Sequence, residues 1–410
     1  MSNFPKALGH IRVLDLSRVL AGPWCSQNLA DLGADVIKIE RPGAGDDTRA
    51  WGPPYAPDAD GRATSEAAYY LSANRGKRSV TVDIAGSEGQ ALLRELAAHC
   101  DVVLENFKVG HLARYGLDYA SLKAIKPDIV YCSITGFGQD GPYAHRAGYD
   151  FLIQGMGGLM SVTGERDGLP GGGPQKVGVA LTDLMTGMYA TVAVLAALTH
   201  RDRTGEGQHI DMSLLDTQVA MLANVGSNYL NSGKRPQRWG NAHANIVPYQ
   251  TFACLDGHII VAAGNDGQYR KFVEAGGRPE LAHDARFATN PLRVQQRDVL
   301  VPLLDEMVKT KTRDEWIALL EAAGVPCGPI NNLDEVFDNP QVRARGMEVV
   351  LDHPLAGQVK LVRNPMRMSA TPATSSLAPP LLGQHTDAVL AEVLGKSGEE
   401  IAALREKKVL

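Results

Sequence analysis

Through the first two hundred residues, short runs of β-branched and apolar residues alternate with longer segments whose apolar positions recur at the helical period. The runs Ile11–Leu16, Asp35–Glu40, Ser79–Asp83, Asp101–Glu105, Ile129–Ile134 and Val177–Leu181 predict strands, several apolar enough to be covered on both faces. Between them, Ala21–Leu32, Glu88–His99 and Leu184–His200 predict helices. This order predicts βα units around a mostly parallel sheet, an α/β fold.

The pattern changes after a further helical segment, Leu214–Tyr229. Asn231–Arg238 is polar, and VPYQTFACLDGHIIVAAG then reads as two strands joined at Asp256-Gly257, which predicts the start of a smaller α/β domain. Its helices are expected at Gln268–Ala275, Arg297–Lys309 and Arg313–Ala323, and GVPCGPINN (Gly324–Asn332) has the Gly/Pro content of a linker. Short strands are expected around Met347–Leu351 and Val359–Val362, with helices after Gly383. Arg41–Thr64, dense in Gly, Pro and Asp, predicts a long loop of the kind that lines sites.

Composition narrows the function classes. The 410 residues are 44% hydrophobic and 21% charged, which fits a globular chain of two or three domains and excludes global disorder. Lys plus Arg (41) nearly balance Asp plus Glu (46) and are dispersed, which argues against nucleic acid as a partner. The five cysteines include no CxxC pair and the histidines no HxxxH or HExxH spacing, so neither a disulfide framework nor a metal site is expected. The longest unbroken apolar stretch, Met188–Leu198, falls short of the ~20 residues that span a bilayer. Charged Lys6, Arg12, Asp15 and Arg18 make the first thirty residues read as fold and not as a signal peptide. The expectation is a cytoplasmic protein with no membrane partner.

Two motifs compete as sources of chemistry. Gly136–Gly141 spells GxGxxG after a predicted strand, but Pro142 follows at once and no amphipathic helix begins there, so a nicotinamide or flavin site is not expected. Asp183 stands where the apolar run VGVAL meets a long apolar helical segment. An N-cap is the commoner use of such an Asp; a desolvated carboxylate at a helix start can also serve as a nucleophile. Asn106-Phe107 after a predicted strand reads as a ligand position or as an Asx turn with a packed ring, and Arg41 and Arg114 as phosphate partners or solvated surface.

Taken together, SRVLAGPWCSQNLADLGADVIKIERPGAGDDTR, NRGKRSVTVD, LENFKVG with Arg114, SITGFGQDGPY, RAGYD and VGVALTDLMTG occur in the order and spacing that the class III CoA-transferases show, and the chain resembles that family (CaiB/BaiF, or formyl-CoA transferase) from about Ile11 to Thr386. RWGNAHANIVPYQTF, AAGNDGQ, GVPCGPINN and PPLLGQHT most resemble its branch acting on succinyl-CoA and glutarate.

The resemblance implies a large Rossmann-like domain built from both chain ends (residues 1–225 and 324–410), a small domain between them (226–323), and an interlocked homodimer. It implies that CoA thioesters and short dicarboxylic acids are the substrates, without metal, nicotinamide or flavin, and that Asp183 is the nucleophile, forming first a mixed anhydride and then an aspartyl-CoA thioester. Val19, Ala21, Arg41, Val82, Asn106, Phe107 and Arg114, with Lys108, Arg146, Tyr149 and Asp150, match positions around the bound CoA. Leu20 stands where the oxalate-specific enzyme carries Gln, and Arg238, Trp239, Gly240 and His243 are candidates for the acid. The racemases of the family use a His/Asp pair to exchange the proton α to the thioester. Tyr149 replaces that His, and a neutral phenol is a poor base at neutral pH. A catalytically silent CoA-binding subunit is the other alternative.

Overall fold

The structure, a computed structural model, describes residues 6–410; residues 1–5 of the expected large domain lie outside the described residues. The chain divides into two compact units: residues 6–158, 177–227 and 341–410 form one, and residues 159–176 and 228–340 the other.

The first unit is organised by a six-stranded sheet: β1 (Arg12–Asp15), β2 (Asp35–Glu40), β3 (Lys77–Thr81), β4 (Val102–Glu105), β5 (Val130–Thr135) and β6 (His209–Ser213). Its order is β3-β2-β1-β4-β5-β6, and every pairing is parallel. The two-residue period of the strands decides the packing. Val13, Val36, Val102, Leu104, Val130 and Cys132 face one core with helix α1 (Ala21–Asp31). Leu14, Ile37, Val103 and Tyr131 face another core with α2 (Ser87–Ala98) and, from the far end of the chain, Val389, Leu390, Val393 and Ile401. Burial on both faces explains why these strands read as nearly continuous apolar runs.

Three expectations are corrected. Val177–Leu181 is not a strand but the irregular approach to a 24-residue helix, which begins at Leu181. The sixth strand is instead His209–Ser213, which pairs only with β5 at the sheet edge; its sequence, HIDMS, mixes polar and apolar residues because its outer face is exposed. The helix expected over Leu214–Tyr229 is two, Leu214–Ala220 and Ala223–Ser232, separated where Ala223 adopts a φ of 43°. Within the expected linker, Cys327–Pro329 forms a strand.

Between β5 and β6 lie α3 (Asp150–Met156) and α4 (Leu181–Thr204). By length and apolar composition α4 would also cross a membrane, contrary to the expectation from its unbroken run. In the fold it is a core helix, burying Ala190, Val194, Ala197 and Leu198 against the α1 side of the sheet. The second unit packs three antiparallel strands, Cys327–Pro329, Gly257–Ala262 and Tyr249–Cys254, against helices that bury Phe272, Leu304 and Trp316.

Candidate active site

In an open parallel sheet, ligands gather at the carboxyl ends of the strands near the point where strand order reverses. Here that point lies between β1 and β4, whose chain continuations run to opposite faces. The loop Leu16–Leu20 after β1 meets Asn106 after β4: the Arg18 N–H donates to Asn106 Oδ1 (2.9 Å) and the Asn106 amide donates to the Arg18 carbonyl (2.7 Å). The two loops are thus stitched together across the switch point.

Next in that loop, Val19 has a φ of 72°, a left-handed conformation that a β-branched residue adopts only when its surroundings impose it. The constraint is visible. The Val19 N–H donates to both oxygens of Asp46 (3.3 Å each), and Asp46 pairs at 2.8 Å with Lys38, both side chains being fully buried. Burial alone would raise Asp46, but the Lys38 ammonium outweighs it and holds the carboxyl down at about 2. Lys38 also donates to the Ser17 carbonyl at 2.9 Å.

Above these loops opens a cavity of about 670 Å³. Val19, Leu20, Ala21, Arg41, Val82, Asn106, Phe107, Lys108, Arg114, Arg146 and Tyr149 all line it, and so does Asp183. Arg18 and His111, which the sequence did not single out, belong to the same wall. The His111 ring stacks on Phe107 (5.7 Å between centroids), with the Arg18 guanidinium 5.5 Å from the same Phe107 ring. Burial, then the charges of Arg114, Lys108 and Arg18, push the His111 imidazole below its ordinary value. One side of the cavity is therefore a cationic cluster around a flat aromatic pair.

Asp183 lies opposite in kind. It is in the first turn of α4, not at its cap, which is Ala180. The cap's work is done by Asp150 at the start of α3: its Oδ1 accepts from the N–H groups of Thr182 (2.8 Å) and Asp183 (3.3 Å), and its Oδ2 from the Gln154 amide (2.7 Å). Asp150 does not line the cavity. Burial, then the charge of Asp150, raise the Asp183 carboxyl to about 7. The GxGxxG segment begins with a close backbone crossing beside the cavity, which Gly136 lines. A Cβ at Gly136 would fall 2.6 Å from the Gly148 Cα, so this glycine pair lets the RAGYD segment cross closely over the end of β5, and no helix follows until Asp150.

Arg238, Trp239, Gly240 and His243 lie in the second unit and are engaged there. The Arg238 guanidinium donates to the carbonyls of Glu165 (3.1 Å) and Ser161 (3.4 Å) and pairs with Asp167. Trp239 stacks with the guanidinium groups of Arg297 (4.2 Å) and Arg166 (4.6 Å). The Gly240 N–H donates to the Gly164 carbonyl, and His243 Nδ1 accepts from the Asn245 N–H (3.0 Å). Among the described residues no group of three or more His, Cys, Asp or Glu is arranged to hold a metal.

Comparison with known proteins supplies the context for this geometry. Residues 8–386 match CoA-transferase family III. A succinate–glutarate CoA-transferase of Agrobacterium fabrum is 52% identical over 394 residues, covering 96% of this chain and 97% of the relative. A succinyl-CoA:glutarate CoA-transferase of Homo sapiens is 45% identical, with 97% and 89% covered. The crystal structure of a CaiB/BaiF family protein from Brucella suis, 52% identical, superposes with a TM-score of 0.82 over 95% of this chain and 99% of that one.

Proposed function

The chain belongs to CoA-transferase family III, and from that premise we propose that it moves CoA from succinyl-CoA to glutarate or a dicarboxylate of similar length, with Asp183 as the nucleophile. The names borne by its relatives support the acid pair. The observation that carries the reading is the shared cavity: a half-buried carboxyl group, Asp183, stands in the same wall system as Arg18, Arg41, Lys108, Arg114 and Arg146.

In this reading the cationic side takes the phosphates of CoA through charge-assisted hydrogen bonds, and the Phe107–His111 pair offers a face to the purine. The pantetheine arm passes the Val19–Ala21 turn and brings the thioester to Asp183. The Asp183 carboxylate attacks the succinyl carbonyl; the C–S bond breaks, leaving a succinyl-aspartyl anhydride and CoA thiolate. The thiolate then attacks the aspartyl carbonyl and releases succinate, giving the aspartyl-CoA thioester. A glutarate carboxylate attacks the aspartyl carbonyl of that thioester, its C–S bond breaks and CoA thiolate leaves, forming the second anhydride; the thiolate then attacks the glutaryl carbonyl, yielding glutaryl-CoA and freeing the Asp183 carboxylate. Each intermediate keeps the transfer potential of the thioester, provided water is excluded. The partial burial that raises Asp183 makes the carboxylate more basic, and a thioester filling the cavity would displace water from around it. The homodimer implied by the family is part of the same proposal.

The test is a CoA-exchange assay read by mass spectrometry. Succinyl-CoA and a panel of free acids are offered to the wild type and to Asp183→Asn. Glutaryl-CoA forming only with the wild type supports the reading; no acceptor, or an equally active Asn variant, overturns it.

A further inference from the structure

We propose that Asp150 is a positioning residue for Asp183: from α3 it caps the first turn of α4 and so fixes where the Asp183 carboxyl stands in the cavity wall. The inference rests on the reading of Asp183 as nucleophile and adds a residue that does not itself line the cavity.

The need for such a residue follows from how α4 begins. Its capping position is Ala180, which has no side-chain acceptor for the free N–H groups of the first turn. The preceding segment, Val177–Ala180, is irregular. Three side chains hold this approach and the first turn that follows it. Asp150 takes the Thr182 and Asp183 N–H groups on one oxygen. Gln154, anchored to the other oxygen of Asp150, accepts the Val177 N–H at 2.9 Å. Gln218 accepts the Thr182 hydroxyl at 2.7 Å. Asp150 is the hub: it touches the backbone of Asp183 directly and holds Gln154, which holds the approach. A reacting carboxylate displaced by about an ångström loses on the order of a hundredfold in rate, so a cap on this turn bears on chemistry and not only on folding.

Charge is a second, separable contribution. Asp150 from α3 and the phenol of Tyr69 are the groups coupled to Asp183, and Tyr69 is pushed up to about 12 by burial, then by Asp183, Asp150 and Asp46. The cations Arg18, Arg41, Lys108, Arg114 and Arg146 line the same cavity. An Asn at position 150 retains the Oδ1 acceptor for the Thr182 and Asp183 N–H groups but discards the charge and the acceptor that anchors the Gln154 amide; an Ala discards all three.

The experiment measures kcat and KM against pH for Asp150→Asn and Asp150→Ala beside the wild type, together with the carbon-13 carboxyl resonance of Asp183 in the resting enzyme. Asp150→Ala is expected to lose about 10- to 100-fold in kcat with KM for succinyl-CoA within about threefold. Asp150→Asn, which keeps the cap on the first turn, is expected to recover part of that loss at pH 8 and to move the Asp183 midpoint below the wild-type value. Unchanged kcat in Asp150→Ala, a loss confined to KM, no recovery in Asp150→Asn, or an unmoved midpoint in Asp150→Asn would each overturn the proposal. If Asp150→Ala does not fold, Asp150→Asn and the resonance decide. If the wild type transfers no CoA, the reading of the reaction has failed, while the resonance still decides whether Asp150 acts on Asp183.

Discussion

Gly187, one helical turn beyond Asp183, lies so close to Ala21 that a Cβ on it would stand 2.6 Å from the Ala21 carbonyl oxygen. The glycine therefore sets how closely α4 approaches α1, and with it the separation of Asp183 from the Val19–Ala21 turn. Gly187→Ala is expected to push the helices apart, at a stability cost of about 1–3 kcal/mol in thermal melts. Its kcat should fall by about 100-fold, more than the stability loss explains at a temperature where the variant remains folded. Wild-type kcat in the folded variant would show that this spacing does not matter to the reaction.

The Lys38–Asp46 pair is expected to be costly to break from one side. Asp46→Ala leaves a buried ammonium without its counter-charge and should destabilise the protein by about 3–5 kcal/mol. It also frees the Val19 N–H, so KM for the CoA thioester should rise. The double replacement Lys38→Met/Asp46→Leu should recover much of the stability but not KM, because nothing then holds Val19. The pair is also acid-resistant. Asp46 is held at about 2, below its ordinary 3.8, so its contribution is complete above 3.8 and is lost only as pH falls through about 2.

Asp183 carries the opposite sign. Its carboxyl, held at about 7 in the fold against an ordinary 3.8, keeps a proton that the unfolded chain releases. Its ionisation therefore costs stability as pH rises from about 4 to about 7, by at most about 4 kcal/mol. Asp183→Asn should raise Tm at pH 8 and leave it nearly unchanged at pH 4, while wild-type kcat climbs through pH 7 as the carboxylate forms. A Tm gain that is equal at both pH values would show that the effect is not ionic.

The cationic wall should act on binding and not on chemistry. Arg41→Ala and Arg114→Ala are each expected to raise KM for succinyl-CoA by about tenfold or more with kcat within about twofold. Raising the salt concentration should increase wild-type KM in the same sense. A fall in kcat at constant KM would assign these arginines to the reacting centre.

Much of the sheet was legible because a parallel strand buried on both faces writes itself as an apolar run; Asp35–Glu40 is bounded in the structure as its sequence predicts. The edge strand His209–Ser213 was not legible, since exposure of one face leaves polar residues in it. Val177–Leu181 misled for the converse reason: it is apolar yet runs irregularly into a turn held by Asp150, Gln154 and Gln218, partners far along the chain that no local pattern announces. The same limit hid Arg18. Its place follows from the hydrogen bonds with Asn106, 88 residues on, which close only when β1 and β4 are neighbours. Motif spacing pointed to Asp183, but its position inside the first turn, capped from another helix, emerges only from the fold.

The central claim is that Asp183 takes part covalently, and oxygen transfer tests it most directly. The wild type is turned over with succinyl-CoA and glutarate carrying heavy oxygen in its carboxylates, quenched and digested, and the peptide containing Asp183 is weighed. The mechanism requires one glutarate oxygen to remain on Asp183 each time glutaryl-CoA forms, so that peptide must gain one heavy oxygen in a single turnover and up to two in many. If glutaryl-CoA accumulates while the Asp183 peptide keeps its natural mass, the acids exchange CoA without the aspartyl intermediates and the claim is contradicted.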